Sequence, residues 1–138
     1  MKKLLLLIIN LGLILAIEKP NYTIISIDGK IEIREYEPMI IASTRVSLSY
    51  QRALSEGFRR IANYIFGAND KGISIPMTAP VISKKIEQQL ESYEVIFVMP
   101  KLYDLTSLPK PIETEINIEK KNLSKVVAIK FGGWATEK

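Results

Sequence analysis

A chain of 138 residues with 47% hydrophobic and 25% charged side chains has the composition of a single globular domain. Its formal net charge of +4 comes half from Lys2 and Lys3, so the body of the chain carries no nucleic-acid-binding footprint. The absence of Cys excludes disulfide staples, and the absence of His removes the commonest metal ligand, general base and pH switch.

Met1-Lys2-Lys3 precedes an apolar run from Leu4 to Ile17, broken only by Asn10 and Gly12, which is the layout of a secretory signal. The run stops at Glu18-Lys19-Pro20, short of the ~20 apolar residues that a spanning helix needs. Residues 1–16 are therefore expected to be a signal peptide ending at Ala16, with a domain over 20–138. The protein is expected to be exported, periplasmic or secreted, touching a membrane only through that segment if it is retained.

Ile17 to Ile27 leads in, and Asp28-Gly29 is a turn signal. Lys30 to Glu37 alternates and ends at Pro38. From Met39 to Leu48, Ile40, Ala42, Thr44, Val46 and Leu48 share one face, with Ser43, Arg45 and Ser47 on the other. Period two with one polar side predicts an antiparallel strand over a core, and the two runs are expected to form a hairpin through Pro38. Ser49 to Phe66 changes period: Leu54, Phe58, Ile61, Ala62 and Ile65 recur at helical spacing, opposite Arg52, Glu56, Arg59, Arg60 and Asn63. Ser49 is the candidate N-cap and Gly67 the left-handed C-cap. Gly57 inside the helix costs about 1 kcal/mol against Ala, which suggests that something passes close to it.

Asn69-Asp70-Lys71-Gly72 predicts a tight turn. Ile73 to Ser83 is β-like but contains Pro76 and Pro80, as an edge or bulged strand would. Lys84 to Glu91 is a polar connection. Ser92 to Met99 is a strand apolar on both faces, with Tyr93, Val95, Phe97 and Met99 on one and Ile96 and Val98 on the other. A loop from Leu102 to Pro111 and strands at Glu113–Glu119 and Lys125–Phe131 complete about six strands and one helix, an α+β layout.

Four landmarks then stand in order: Ile33-Arg34-Glu35-Tyr36-Glu37-Pro38, Tyr64-Ile65-Phe66-Gly67-Ala68-Asn69, Ile75-Pro76-Met77-Thr78-Ala79-Pro80-Val81, and Phe131-Gly132-Gly133-Trp134-Ala135. In these the chain resembles the SOUL haem-binding family from about Ile31 to Thr136. The resemblance implies a distorted antiparallel β-barrel with helices packed outside it, built from two similar halves and binding haem or another tetrapyrrole. One branch of the family holds haem iron through histidine. With no His in this chain, the resemblance implies the histidine-free branch, in which haem is held non-covalently by apolar contact and charge. Family domains continue past the last landmark with a second helix and further strands. The chain ends at Lys138, so the barrel is expected to be partial, from a fragment or a truncated gene product, and a homo-oligomer is one way to cover its open sheet.

The ligand-lining element that the resemblance implies is the helix. Phe58 and Ala62, one turn apart, are expected to meet a flat ring in a concavity between helix and sheet, with Arg59, Arg60 or Lys71 pairing with its carboxylates. The same stripe also suits a plain core face with solvated arginines. Met77 and Met99 are expected in the core, and no residue is assigned as an iron ligand. Glu35 and Glu37 share a strand face with Arg34 nearby, which reads as a solvated cross-strand salt-bridge surface. No cysteine nucleophile, Gly-rich phosphate loop or metal-ligand cluster is present, so no enzyme is expected. The leading expectation is sequestration or transport of a tetrapyrrole. The alternative is a cell-envelope interaction or structural protein whose apolar surface meets a protein partner.

Overall fold

The computed structural model describes residues 17–129 and Gly132. The expected signal segment, and the Phe131–Ala135 landmark apart from Gly132, lie outside the described residues. The elements are β1 (Tyr22–Asp28), β2 (Ile31–Tyr36), β3 (Met39–Ser47), α1 (Tyr50–Ile65), β4 (Val81–Lys85), β5 (Ser92–Val98), β6 (Ile116–Lys121) and β7 (Lys125–Ile129). All pairings between strands are antiparallel, in a three-stranded sheet of order β1-β2-β7 and a four-stranded sheet of order β4-β5-β3-β6. The α+β class stands, with two antiparallel sheets, one helix and no closed barrel among the described residues, as is consistent with a partial barrel.

The expected lead-in contains a full strand. Asp28 and Gly29, the latter at φ +56°, turn β1 back onto β2, so the hairpin lies at this turn and not at Pro38. β2 already has β1 on one edge and β7 on the other. The chain therefore leaves its sheet at Pro38, which offers no backbone N–H, and enters the second sheet as β3.

β3 lies between β5 and β6, with Ala42 opposite Phe97 and Ile118, and Thr44 opposite Val95 and Ile116. This face meets α1. The other face is not simply polar, as the alternation suggested: Ser43 is buried, and Met39, Ile41 and Val98 form a second cluster with Tyr36, Ile96 and Leu123. A central strand has neighbours on both sides and both faces, so only its far end, Arg45 and Ser47, reaches solvent.

α1 keeps its expected bounds, starting after Ser49 and capped by Phe66. Its end is a Schellman motif: Gly67 N–H donates to Tyr64 O at 3.3 Å and Ala68 N–H to Asn63 O at 2.9 Å, with Gly67 at φ +122°. Asn69 is buried beneath this end, its amide donating to Tyr64 O and Ile73 O at 3.0 and 2.8 Å. Ile61, Tyr64 and Ile65 pack with Ala42, Ile75, Val95, Phe97, Met99, Leu108 and Ile116 as the main core. The Tyr64 hydroxyl donates to Pro109 O at 2.7 Å, and burial pushes its pKa up to about 12.

The span expected as one edge or bulged strand from Ile73 to Ser83 divides in two. Residues 73–80 run without regular structure, past a cis Ala79–Pro80 bond, because Pro76 and Pro80 cannot donate to a ladder. Only after Pro80 does β4 pair with β5, as an edge strand. Met99 is core as expected, whereas Met77 lies half-exposed on this irregular run. The Arg34 environment differs too: its guanidinium pairs with Glu32 of the same strand at 2.7 Å and stacks on the Tyr22 ring at 4.3 Å, with Glu32 buried, so this pair is not a solvated cross-strand one.

Gly57 carries the close approach that its place in the helix implied. A Cβ built there would lie 2.5 Å from Val95 Cγ2 and 2.8 Å from Val95 Cβ. Gly57→Ala should therefore destabilise the fold by roughly 1–3 kcal/mol through overpacking, even though Ala favours helix by about 1 kcal/mol. Urea denaturation would register the loss as a lowered midpoint, and a raised midpoint would refute the close packing.

Candidate functional site

The sequence-derived site residues divide into three environments. Phe58 sits on the flank of α1 with its ring 5.3 Å from that of Phe97 and remains 42% exposed. Val81 of β4 pairs directly with Phe97 and is also exposed, so Phe58 and Val81 flank the same buried ring. Ala62, one turn on, is 8% exposed and belongs largely to the packed side. The expected concavity between helix and sheet is occupied by the chain's own Ile61, Tyr64, Ile65, Val95 and Phe97. Any ligand of α1 must meet its outer flank.

Both arginines are engaged by Glu56. Arg59 donates from Nη2 and Nε at 2.7 and 3.1 Å, and Arg60 from Nε at 3.0 Å. These two guanidinium groups hold the Glu56 carboxyl at about 2, well under its ordinary value, and Glu56 in return raises the Arg59 pKa. Arg60 also reaches Glu113 at 3.4 Å and, through Nη1, Thr44 Oγ1 and Arg45 O at 3.4 Å, so it clasps α1 to β3 and the approach to β6. Arg59 is more open, and its Nη1 makes no hydrogen bond among the described residues. Lys71 lies past the C-cap and donates to Ser107 O at 2.8 Å. The structure thus brings Phe58 and Arg59 together, ties Arg60 inward, and places Lys71 elsewhere.

A separate cleft of about 530 Å³ opens at one end of the four-stranded sheet, beside the Pro38 corner. Its walls are the segment before β1 (Glu18, Asn21), the Pro38 corner with Met39 and Ile40, the end of β5, the loop from Pro100 to Thr106, and Lys120 of β6. Met99, Ile40 and Tyr103 come to it from the main core, and Met39 and Val98 from the second cluster. Sequence reasoning missed it because its walls come from four separated stretches of chain. Only the helix-flank residues announce themselves by periodicity.

A tetrapyrrole is a flat apolar ring with carboxylate arms. The flank of α1 fits its face through the Phe58 ring and an arm through Arg59. It offers no histidine for iron, and among the described residues no group of three His, Cys, Asp or Glu could hold a metal. The fit is to the ring and its charge.

The comparisons with known proteins agree with the family landmarks. The model of the SOUL heme-binding protein family matches residues 17–138. "Heme-binding protein 1" of Xenopus laevis is 32% identical over 111 residues, 77% of this chain and 58% of the relative. "Heme-binding protein 2" of Homo sapiens is 32% identical over 113 residues, 78% of this chain and 55% of the relative. The chain therefore spans little more than half the length of these relatives. With the family model covering nearly all of the described strands and helix, the chain belongs to the SOUL heme-binding protein family.

Proposed function

We propose that this protein binds haem or a similar tetrapyrrole on the outer flank of α1, for sequestration or transport and without catalysis. The observation that carries the reading is the half-exposed Phe58 ring, seated on Phe97 beside Arg59. An aromatic ring held rigid by a second ring keeps its outer face presented at little entropic cost, and Arg59 keeps a donor for a carboxylate. The names of the relatives, and the family itself, support the same ligand class. Of the other residues, Arg60 fixes the position of α1 in this reading, while Ala62, on the packed side, and Lys71, past the C-cap, lie outside the contact. Export to the periplasm or the medium belongs to the same proposal and rests on residues 1–16. Among the described residues no helix is long and apolar enough to cross a membrane.

Haemin titrated into the protein should give a saturating, shifted Soret band at about micromolar affinity. Phe58→Ala should weaken binding by about tenfold through lost ring contact. A spectrum matching that of haemin with a non-binding control protein, or full affinity in Phe58→Ala, would remove this site.

Glu56 competes with the ligand for Arg59, so Glu56→Gln should tighten haemin binding by a few-fold, roughly the worth of one partly exposed ion pair. The same pair sets a pH window for stability. Because the folded carboxyl is held at about 2 against 4.5, its contribution is present above 4.5 and lost as pH falls from 4.5 towards 2. Thermal melts of the wild type and Glu56→Gln should converge across that window.

A second reading, an interaction protein of the cell envelope, is favoured by the three-stranded sheet. Ile31 and Ile33 of β2 stand opposite Ile129 and Val127 of β7, and Ile129 and Val127 are 58% and 65% exposed. An apolar sheet face of this kind marks association. Sedimentation velocity over a hundredfold concentration range should show a self-associating species. A ligand-free monomer throughout would leave the carrier reading alone.

A further inference from the structure

The cleft at the Pro38 corner has chemistry of its own, independent of the α1 flank. Its apolar lining comes from both faces of one end of the four-stranded sheet: Ile40, Met99 and Tyr103 from the main core, Met39 and Val98 from the second cluster. Each face contributes one methionine, and thioether side chains repack easily around a flexible chain. At about 530 Å³ the space lies within the range of small-molecule sites.

The charged groups at its rim are Glu18, Glu37 and Asp104 against Lys101 and Lys120. Each carboxylate is turned to a donor of the protein. Glu18 Oε1 accepts from the Lys101 backbone N–H at 2.8 Å, and Glu37 Oε2 from Asn21 Nδ2 at 3.2 Å. Asp104 Oδ1 accepts from the N–H groups of Thr106 and Ser107, both at 2.8 Å, and from the Thr106 hydroxyl at 2.6 Å, which holds its pKa down at about 2. By contrast, the ammonium groups of Lys101 and Lys120 make no hydrogen bond or ion pair among the described residues.

Strand register places the two lysines to act together. Ile40 of β3 pairs with Lys120 on one side, and on the other its carbonyl accepts from Met99 N–H at 2.8 Å. Lys120 and Met99 therefore stand two strand spacings apart, about 10 Å, with Lys101 two residues beyond Met99. Both lysines line the cleft.

We propose that this cleft is a second ligand site that takes a long-chain carboxylate, its acyl chain along the apolar lining and its headgroup at Lys101 and Lys120. The acids are the polar groups already satisfied, the ammonium groups are those still able to gain a partner, and an anionic amphiphile matches both lining and rim.

The test uses the full chain and laurate, followed by calorimetry and by the carboxyl carbon resonance of labelled laurate, with dodecanol as the uncharged control. Laurate should bind one to one, at least about tenfold more tightly than dodecanol, and the double variant Lys101→Ala, Lys120→Ala should lose about that factor while keeping its circular dichroism. Phe58→Ala should leave laurate binding unchanged, and the lysine variant should leave haemin binding unchanged, so the two site proposals can fail separately. No saturable laurate binding, equal affinity for dodecanol, or an unchanged affinity in the lysine variant would overturn the proposal. So would haemin displacing laurate from the wild type with both ligands lost in the lysine variant, since the cleft would then be the tetrapyrrole site.

Discussion

The approach of α1 to β5 at Gly57 is the constraint from which the functional geometry follows. With no side chain at that position, the helix backbone settles against Val95, and Ile61, Tyr64 and Ile65 reach fully into the sheet. A close-packed interior has no room for a macrocycle, because voids of that size are not left in well-packed cores. The packing that stabilises the domain therefore leaves the outer flank of the helix as the accessible side of α1, where ligand contact is proposed. Phe58 is the large residue left there, anchored from beneath by Phe97.

The second constraint is the change of sheet at Pro38. A continuous hairpin would have stacked β3 on β2 and left one continuous surface. Instead β2 is saturated on both edges, and β3 takes the centre of a different sheet. One core cluster lies under α1 and another beneath the corner, and the cleft takes lining residues from both.

Electrostatics separates the two surfaces. On α1 Arg59 and Arg60 are committed to Glu56, and Arg60 also to Glu113, so they fix the helix as much as they offer charge. At the cleft the carboxylates are committed and the lysines are open. Net charge alone, nearly balanced over the body of the chain, conceals this difference. Which partner each charged group holds decides what ligand the surface around it can take.

The sequence by itself determined the elements with a strong period: α1 with its Gly67 cap, both apolar faces of β5, the α1-facing residues of β3, and the significance of Gly57. Its landmarks also carried the family. It did not determine β1, whose exposed isoleucines show no alternation, nor the bend to β4, where proline breaks the ladder. The candidate site was half legible. Phe58 and Arg59 follow from helical spacing, whereas the inward clasp of Arg60 and the remote position of Lys71 depend on Glu113, Thr44 and Ser107. The cleft was invisible from sequence, since periodicity reports which face of one element is apolar, and only tertiary structure brings four separated segments to one place.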